Sequence, residues 1–145
     1  MTKLTFSSQD DFEYWVADME DALERFASAL PAEVRARLDY SPASLDVIEH
    51  WILSKFASSD DFLKRSTPED LDGTARYIGE VFQRVLSGSW DIHFDDPKDA
   101  FYGLPIVTGM GPDDDEDCPH TLATAAADRR SGTYLRGVLE GYMMV

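Results

Sequence analysis

The 145 residues carry 28 acidic against 13 basic side chains, a formal net charge of −15, with 43% hydrophobic and 12% aromatic residues. A chain of this size suits one domain, and its aromatic supply suffices for one packed core, which excludes wholesale disorder. The charge disfavours direct contact with nucleic acid or an anionic membrane, since both need clustered Lys and Arg; no apolar run approaches the roughly 20 residues of a membrane-spanning helix.

The first predicted element is a long amphipathic helix. Phe12, Trp15, Val16, Met19, Leu23, Phe26 and Leu30 recur at three- and four-residue spacing, with Ser7 or Ser8 as the cap and Pro31 as the stop. A short helix over residues 31–38 turns Val34 and Leu38 inward. Ser41-Pro42 and Thr67-Pro68 each read as a helix start. The first opens a helix with Leu45, Ile48, Ile52 and Phe56 on one stripe, the second a helix with Leu71, Ala75, Ile78, Phe82 and Val85 on its inner face. One extra turn is expected at residues 60–64, and Gly88 closes the longer helix. The period then changes from 3.6 to 2. Trp90, Ile92 and Phe94 alternate with Asp91, His93 and Asp95, the pattern of a half-buried strand. Residues 96–99 read as its turn and residues 101–108 as the returning strand, which Pro105 confines to an edge or a bulge. Residues 109–118 read as a loop, and two short helices separated by Ser131-Gly132 complete the chain. The expected fold class is α+β: a predominantly helical single domain, residues 1–145, with a short antiparallel β-hairpin.

Acidity is uneven along this order. It is concentrated in the first helix and in residues 91–117, whereas the C-terminal segment, with Arg129, Arg130 and Arg136, is mildly basic. The run Asp113, Asp114, Asp115, Glu116 and Asp117 lacks the alternate oxygen spacing, the glycine and the distant Glu of a calcium loop, so no metal is expected there. It reads as a solvated loop or a contact for a basic protein surface. Cys118, the single cysteine, cannot form an internal disulfide, and the N-terminal residues lack the apolar stretch of a secretory signal. A cytoplasmic protein is expected on these grounds. Cys118 and His120 lie two apart with no further Cys, and the neighbouring acids disfavour a thiolate. His93 lies between Asp91 and Asp95 on the polar face of the strand, a setting that favours the charged imidazole.

Arg76, Glu80 and Arg84 fall at four-residue spacing, the arrangement of an ion-pair ladder along one helix face. Gly73 and Gly79 in the same helix each lower helix propensity by about 1 kcal/mol relative to Ala, so another element is expected to pass close to them. A groove over Gly79 rimmed by Tyr77, Glu80 and Trp90 is the alternative reading. Asp128-Arg129-Arg130 offers the only adjacent arginines, for internal pairing or for a phosphate. No glycine-rich phosphate loop and no hydrolase or zinc-protease motif is present.

The block Asp72-Gly73-Thr74-Ala75-Arg76-Tyr77-Ile78-Gly79-Glu80, followed by Gly88-Ser89-Trp90 and Gly103-Leu104-Pro105, resembles small bacterial domains of unknown function. In these a Tyr-x-Gly-Glu helix leads to a Trp-initiated strand, and residues 128–135 are similar to their closing segment. The likeness spans residues 68–140 and implies no catalytic residues. Some small acidic domains of this general kind resemble immunity proteins, which neutralise a toxin made by neighbouring cells. The leading functional expectation is therefore a non-catalytic acidic binding protein, an immunity-type inhibitor of a basic toxin, with no cofactor. The alternative is an enzyme or small-ligand binder using Tyr77, Glu80, Trp90 and His93 around a pocket between helix and hairpin.

Overall fold

The computed structural model describes residues 6–143. Their order is α1 (Gln9–Ala17), α2 (Met19–Ala29), α3 (Ala32–Arg35), α4 (Pro42–Lys55), α5 (Ser59–Arg65), α6 (Pro68–Leu86), β1 (Ser89–Asp91), β2 (Ile106–Met110), β3 (Asp115–Asp117), α7 (Pro119–Arg129) and α8 (Tyr134–Met143). The fold is mostly helical α+β, with one small antiparallel sheet in the order β1-β2-β3. Among the described residues no helix is long and apolar enough to cross a membrane.

The helix starts follow their caps. The hydroxyls of Ser8, Ser41, Ser58 and Thr67 each accept from the backbone N–H three residues on, which satisfies one of the otherwise orphaned amides of a first turn. Pro42 and Pro68 sit in first turns, where no amide hydrogen is needed. The centre of the molecule is α6. Its Leu71, Ala75, Ile78 and Phe82 are buried against α2, α4, α7 and β2. Gly73 and Gly79 lie where other elements press closest: a Cβ on Gly73 would stand 2.3 Å from Phe26 of α2, and one on Gly79 would stand 2.1 Å from the indole of Trp90.

Two local departures from the sequence reading share a cause, a polar group that competes for backbone hydrogen bonds. The long first helix breaks at Asp18 into α1 and α2. The buried Arg76 guanidinium donates through Nη1 to the carbonyl of Trp15 at 2.8 Å, inserting a side chain into the α1 ladder just before the break. The first strand is shorter than its alternation suggests, because Asp91 turns back to accept from the N–H of Ile92 and Asp96 and Asp99 each accept from the amide two residues on. Residues 92–105 are consequently irregular, with turns and bends over residues 97–104. Residues 96–99 form the expected turn, the N–H of Asp99 donating to the carbonyl of Asp96 at 2.9 Å, inside a long connection between β1 and β2; a second, tight turn falls at residues 111–114, with Asp114 left-handed at φ 57°, between β2 and β3. The expected antiparallel pair is present as β1 and β2, a third strand is added to it, and half of the predicted 109–118 loop is strand. Pro105 lies just ahead of β2 and takes no part in the ladder. At the end of α6 the left-handed residue is Ser87, with Gly88 one position later against Val107 and Thr108 of β2.

The last two helices are fastened by charge rather than by apolar contact alone. Glu49 of α4 is fully buried, and its two carboxylate oxygens accept from the N–H groups of Tyr134 and Leu135 at 3.0 and 2.8 Å, capping the start of α8. In the opposite direction Arg130 donates to the carbonyls of Leu53 and Phe56 at the end of α4. Arg129 stacks over Tyr134 and Asp128 accepts from Ser59, so the arginine pair serves helix ends and packing.

Candidate functional site

Two places gather the polar side chains singled out above, and a third emerges only in three dimensions. The first is the acidic edge of the sheet. Asp113 and Asp114 occupy the exposed turn, and Asp115, Glu116 and Asp117 form β3. A strand alternates its faces, which divides the run. Glu116 points towards His93, whose Nε2 lies 3.4 Å from its carboxylate. Asp117 takes the other face, accepting from the hydroxyl of Tyr142 in α8 and from the N–H of Cys118. Burial and then the Asp117 carboxylate push the Tyr142 phenol well above the usual tyrosine range. Asp91 and Asp95 are exposed nearby, and among the described residues no Lys or Arg pairs with any acid of residues 91–117.

The second is the helix of Tyr77 and Glu80. These two side chains point to different partners. Tyr77 is buried; its hydroxyl donates to Ser44 Oγ at 2.8 Å and accepts from the N–H of Tyr40, whose ring stacks on it. Glu80 accepts from the indole Nε1 of Trp90 at 3.1 Å and from Gln83 at 2.9 Å. The space over Gly79 is occupied by the Trp90 ring itself, which stands edge-on to Trp15 at 4.8 Å. Tyr77, Glu80, Trp90 and His93 are therefore parts of packed contacts, not the rim of one opening. The Arg76–Glu80–Arg84 ladder is absent: Arg76 pairs with Asp72, and Arg84 lies 3.8 Å over the ring of Tyr40.

The third is a buried charged junction where α1, α6 and α7 meet. Asp72 accepts from Trp15 Nε1 at 2.8 Å and from Arg76 Nε at 2.6 Å, and His120 Nε2 lies 3.6 Å from its Oδ1. Arg76 is 3% exposed, lies 4.2 Å over the Trp15 ring and also reaches the Trp15 carbonyl. Burial by itself would raise the Asp72 carboxyl; the proximity of His120 and the bonds from Arg76 and Trp15 outweigh it and hold the carboxyl below the usual range. His120 is 6% exposed, and neither ring nitrogen has a hydrogen-bond partner within the protein. A buried polar atom left unpaired costs about 1–3 kcal/mol. The Asp72–Arg76 spacing of four was a visible pairing signal, but Glu80 offered an equal one. In the structure Arg76 turns to Asp72 and the Trp15 carbonyl, while Glu80 turns to Trp90 and Gln83.

Cys118 is fully buried, and burial pushes its thiol above the usual range, which disfavours a thiolate nucleophile. Pro119 and His120 begin α7, as a lead-in to a helix. Among the described residues no three His, Cys, Asp or Glu side chains converge to hold a metal ion. No protein-family model, curated protein or solved structure matches this chain.

Proposed function

We propose that this is a non-catalytic binding protein that presents the acidic side chains of residues 91–99 and 113–117 to a basic protein, in the manner of an immunity-type inhibitor of a toxin. One observation carries the reading. Among the described residues, Asp18, Asp46, Asp60, Asp61, Asp70 and Asp72, elsewhere in the molecule, each lie within ion-pair distance of Arg or Lys, whereas the acids of residues 91–117 have only His93 opposite Glu116. Acidic charge gathered without a Lys or Arg counterpart produces a field that accelerates encounter with a basic surface and repels an acidic one.

The test is affinity capture from the cells that produce the protein, run beside a variant carrying Asp113→Asn, Asp114→Asn, Asp115→Asn and Glu116→Gln. A specific basic protein should bind the natural chain and lose at least tenfold in association rate with the variant. The natural rate should also fall steeply between 50 and about 500 mM salt. A partner held equally by both chains, or bound at a rate indifferent to salt, overturns the proposal.

A further inference from the structure

A cleft of about 450 Å³ lies where the end of α6 meets the turn between β2 and β3. That volume is within the range of small-ligand sites, about 300–1,000 Å³. Val85, Leu86 and Met143 wall it with apolar surface, Pro112 bounds its turn side, and Gly109 and Gly111 place no side chain in it. The turn is tied to the helix end, the N–H of Gly111 donating to the carbonyl of Leu86 at 3.1 Å. We propose that this cleft seats an arginine side chain of the basic partner, an inference that rests on the reading above and names the anchor of that contact.

The charges around the cleft are of one sign. Asp113 follows Pro112 in the exposed turn, and the Oδ1 of Asp114 lies 3.5 Å from the place a Cβ would take on Gly109. The end of α6 at Leu86 adds the negative pole of a helix dipole. Among the described residues no Lys or Arg lines the cleft and neither aspartate pairs with one. Arg84, the last cation of α6, is turned over the ring of Tyr40. Apolar walls beside an acidic turn suit a side chain that is aliphatic along its stem and cationic at its tip. Arginine suits them better than lysine. Its planar guanidinium is weakly hydrated, lies against apolar groups such as those of Pro112 and Met143, and offers a fork of N–H donors to carboxylates, whereas an ammonium holds its water strongly. Met143 is 50% exposed, an apolar surface available for that stem.

The test is an NMR titration of the full chain, following the methyl groups of Val85, Leu86 and Met143. The probes are n-butylguanidinium, n-butylammonium and the uncharged n-butylurea. Butylguanidinium should shift these signals saturably, with butylammonium about threefold weaker. Butylurea should be at least about tenfold weaker, the loss of a charge-assisted hydrogen bond. Met143→Lys, at an exposed position, lays a competing cation in the cleft and should abolish the shifts of Val85 and Leu86. Gly137→Lys adds the same charge farther back along α8, where nothing lies within 4 Å of a Cβ, and should retain them. Against the captured partner, Met143→Lys should raise the dissociation rate at least about tenfold over Gly137→Lys, with equal association rates. The inference is overturned by the absence of any saturable shift, by butylammonium or butylurea binding as tightly as butylguanidinium, or by equal losses in the two lysine variants. Failure of the probes while a salt-dependent basic partner is still captured sinks this inference alone. Binding of the probes with no basic partner captured sinks the reading on which it rests.

Discussion

Gly79 and Gly137 both sit inside helices, and their surroundings are opposite. A Cβ at Gly79 would meet the Trp90 ring at 2.1 Å, whereas nothing lies within 4 Å of one at Gly137. Alanine at either position gains up to about 1 kcal/mol of helix propensity. At Gly79 the ring must move, which strains its bond to Glu80 and its edge-on contact with Trp15; overpacking of this kind costs about 1–3 kcal/mol. Gly137→Ala should therefore stabilise the protein by about 0.5–1 kcal/mol, and Gly79→Ala should destabilise it by up to about 2 kcal/mol. Urea unfolding midpoints of the two variants decide, and a shift in the same direction for both refutes the close-approach account. The presence of a near neighbour was legible in the sequence, because glycine inside an otherwise strong helix needs a reason. Its identity was not, since Trp90 belongs to a different element.

The fastening of α8 to α4 rests on one carboxylate. Glu49 accepts two backbone N–H groups of the first turn of α8, and Asp46 of the same helix pairs with Arg136 at 2.9 Å. Glu49→Ala leaves two donors in a buried place, each worth about 1.5–3 kcal/mol when its acceptor is charged. The expected loss is about 3–5 kcal/mol, with Glu49→Gln recovering part of it through its single carbonyl oxygen. Hydrogen exchange should show the amides of Tyr134 and Leu135 exposed first. An α8 as protected as in the natural chain would show that apolar packing by Leu135 and Leu139 suffices without the cap. Nothing in the sequence around Glu49 announces this role, because its partners are 85 and 86 residues away.

At the scale of the molecule two effects of pH oppose each other. With a net charge of −15 and an isoelectric point near 4.3, acidifying from pH 7 removes self-repulsion and raises stability. The carboxyl of Asp72 acts the other way. Its pKa is lowered on folding, so its contribution is fully present above the ordinary aspartate value of about 3.9 and disappears as pH falls through the folded one. Stability should be greatest near pH 5 and fall steeply below about pH 4. Asp72→Asn should lower stability at neutral pH and flatten that acid limb while keeping the rise between pH 7 and pH 5. Chemical denaturation across pH measures both limbs, and an unchanged acid slope in Asp72→Asn refutes the assignment.

The class of the fold, the helix starts, the apolar faces of the helices and the uneven acidity are all legible along the chain. These depend on spacing, capping and composition, which act between residues a few positions apart. Tertiary structure decided the break at Asp18, the third strand, the filling of the Gly79 space by Trp90 and the choice of Asp72 over Glu80 as the partner of Arg76. Each is a competition for one hydrogen bond or one volume between groups distant in sequence, and only their positions in the folded chain settle which group wins.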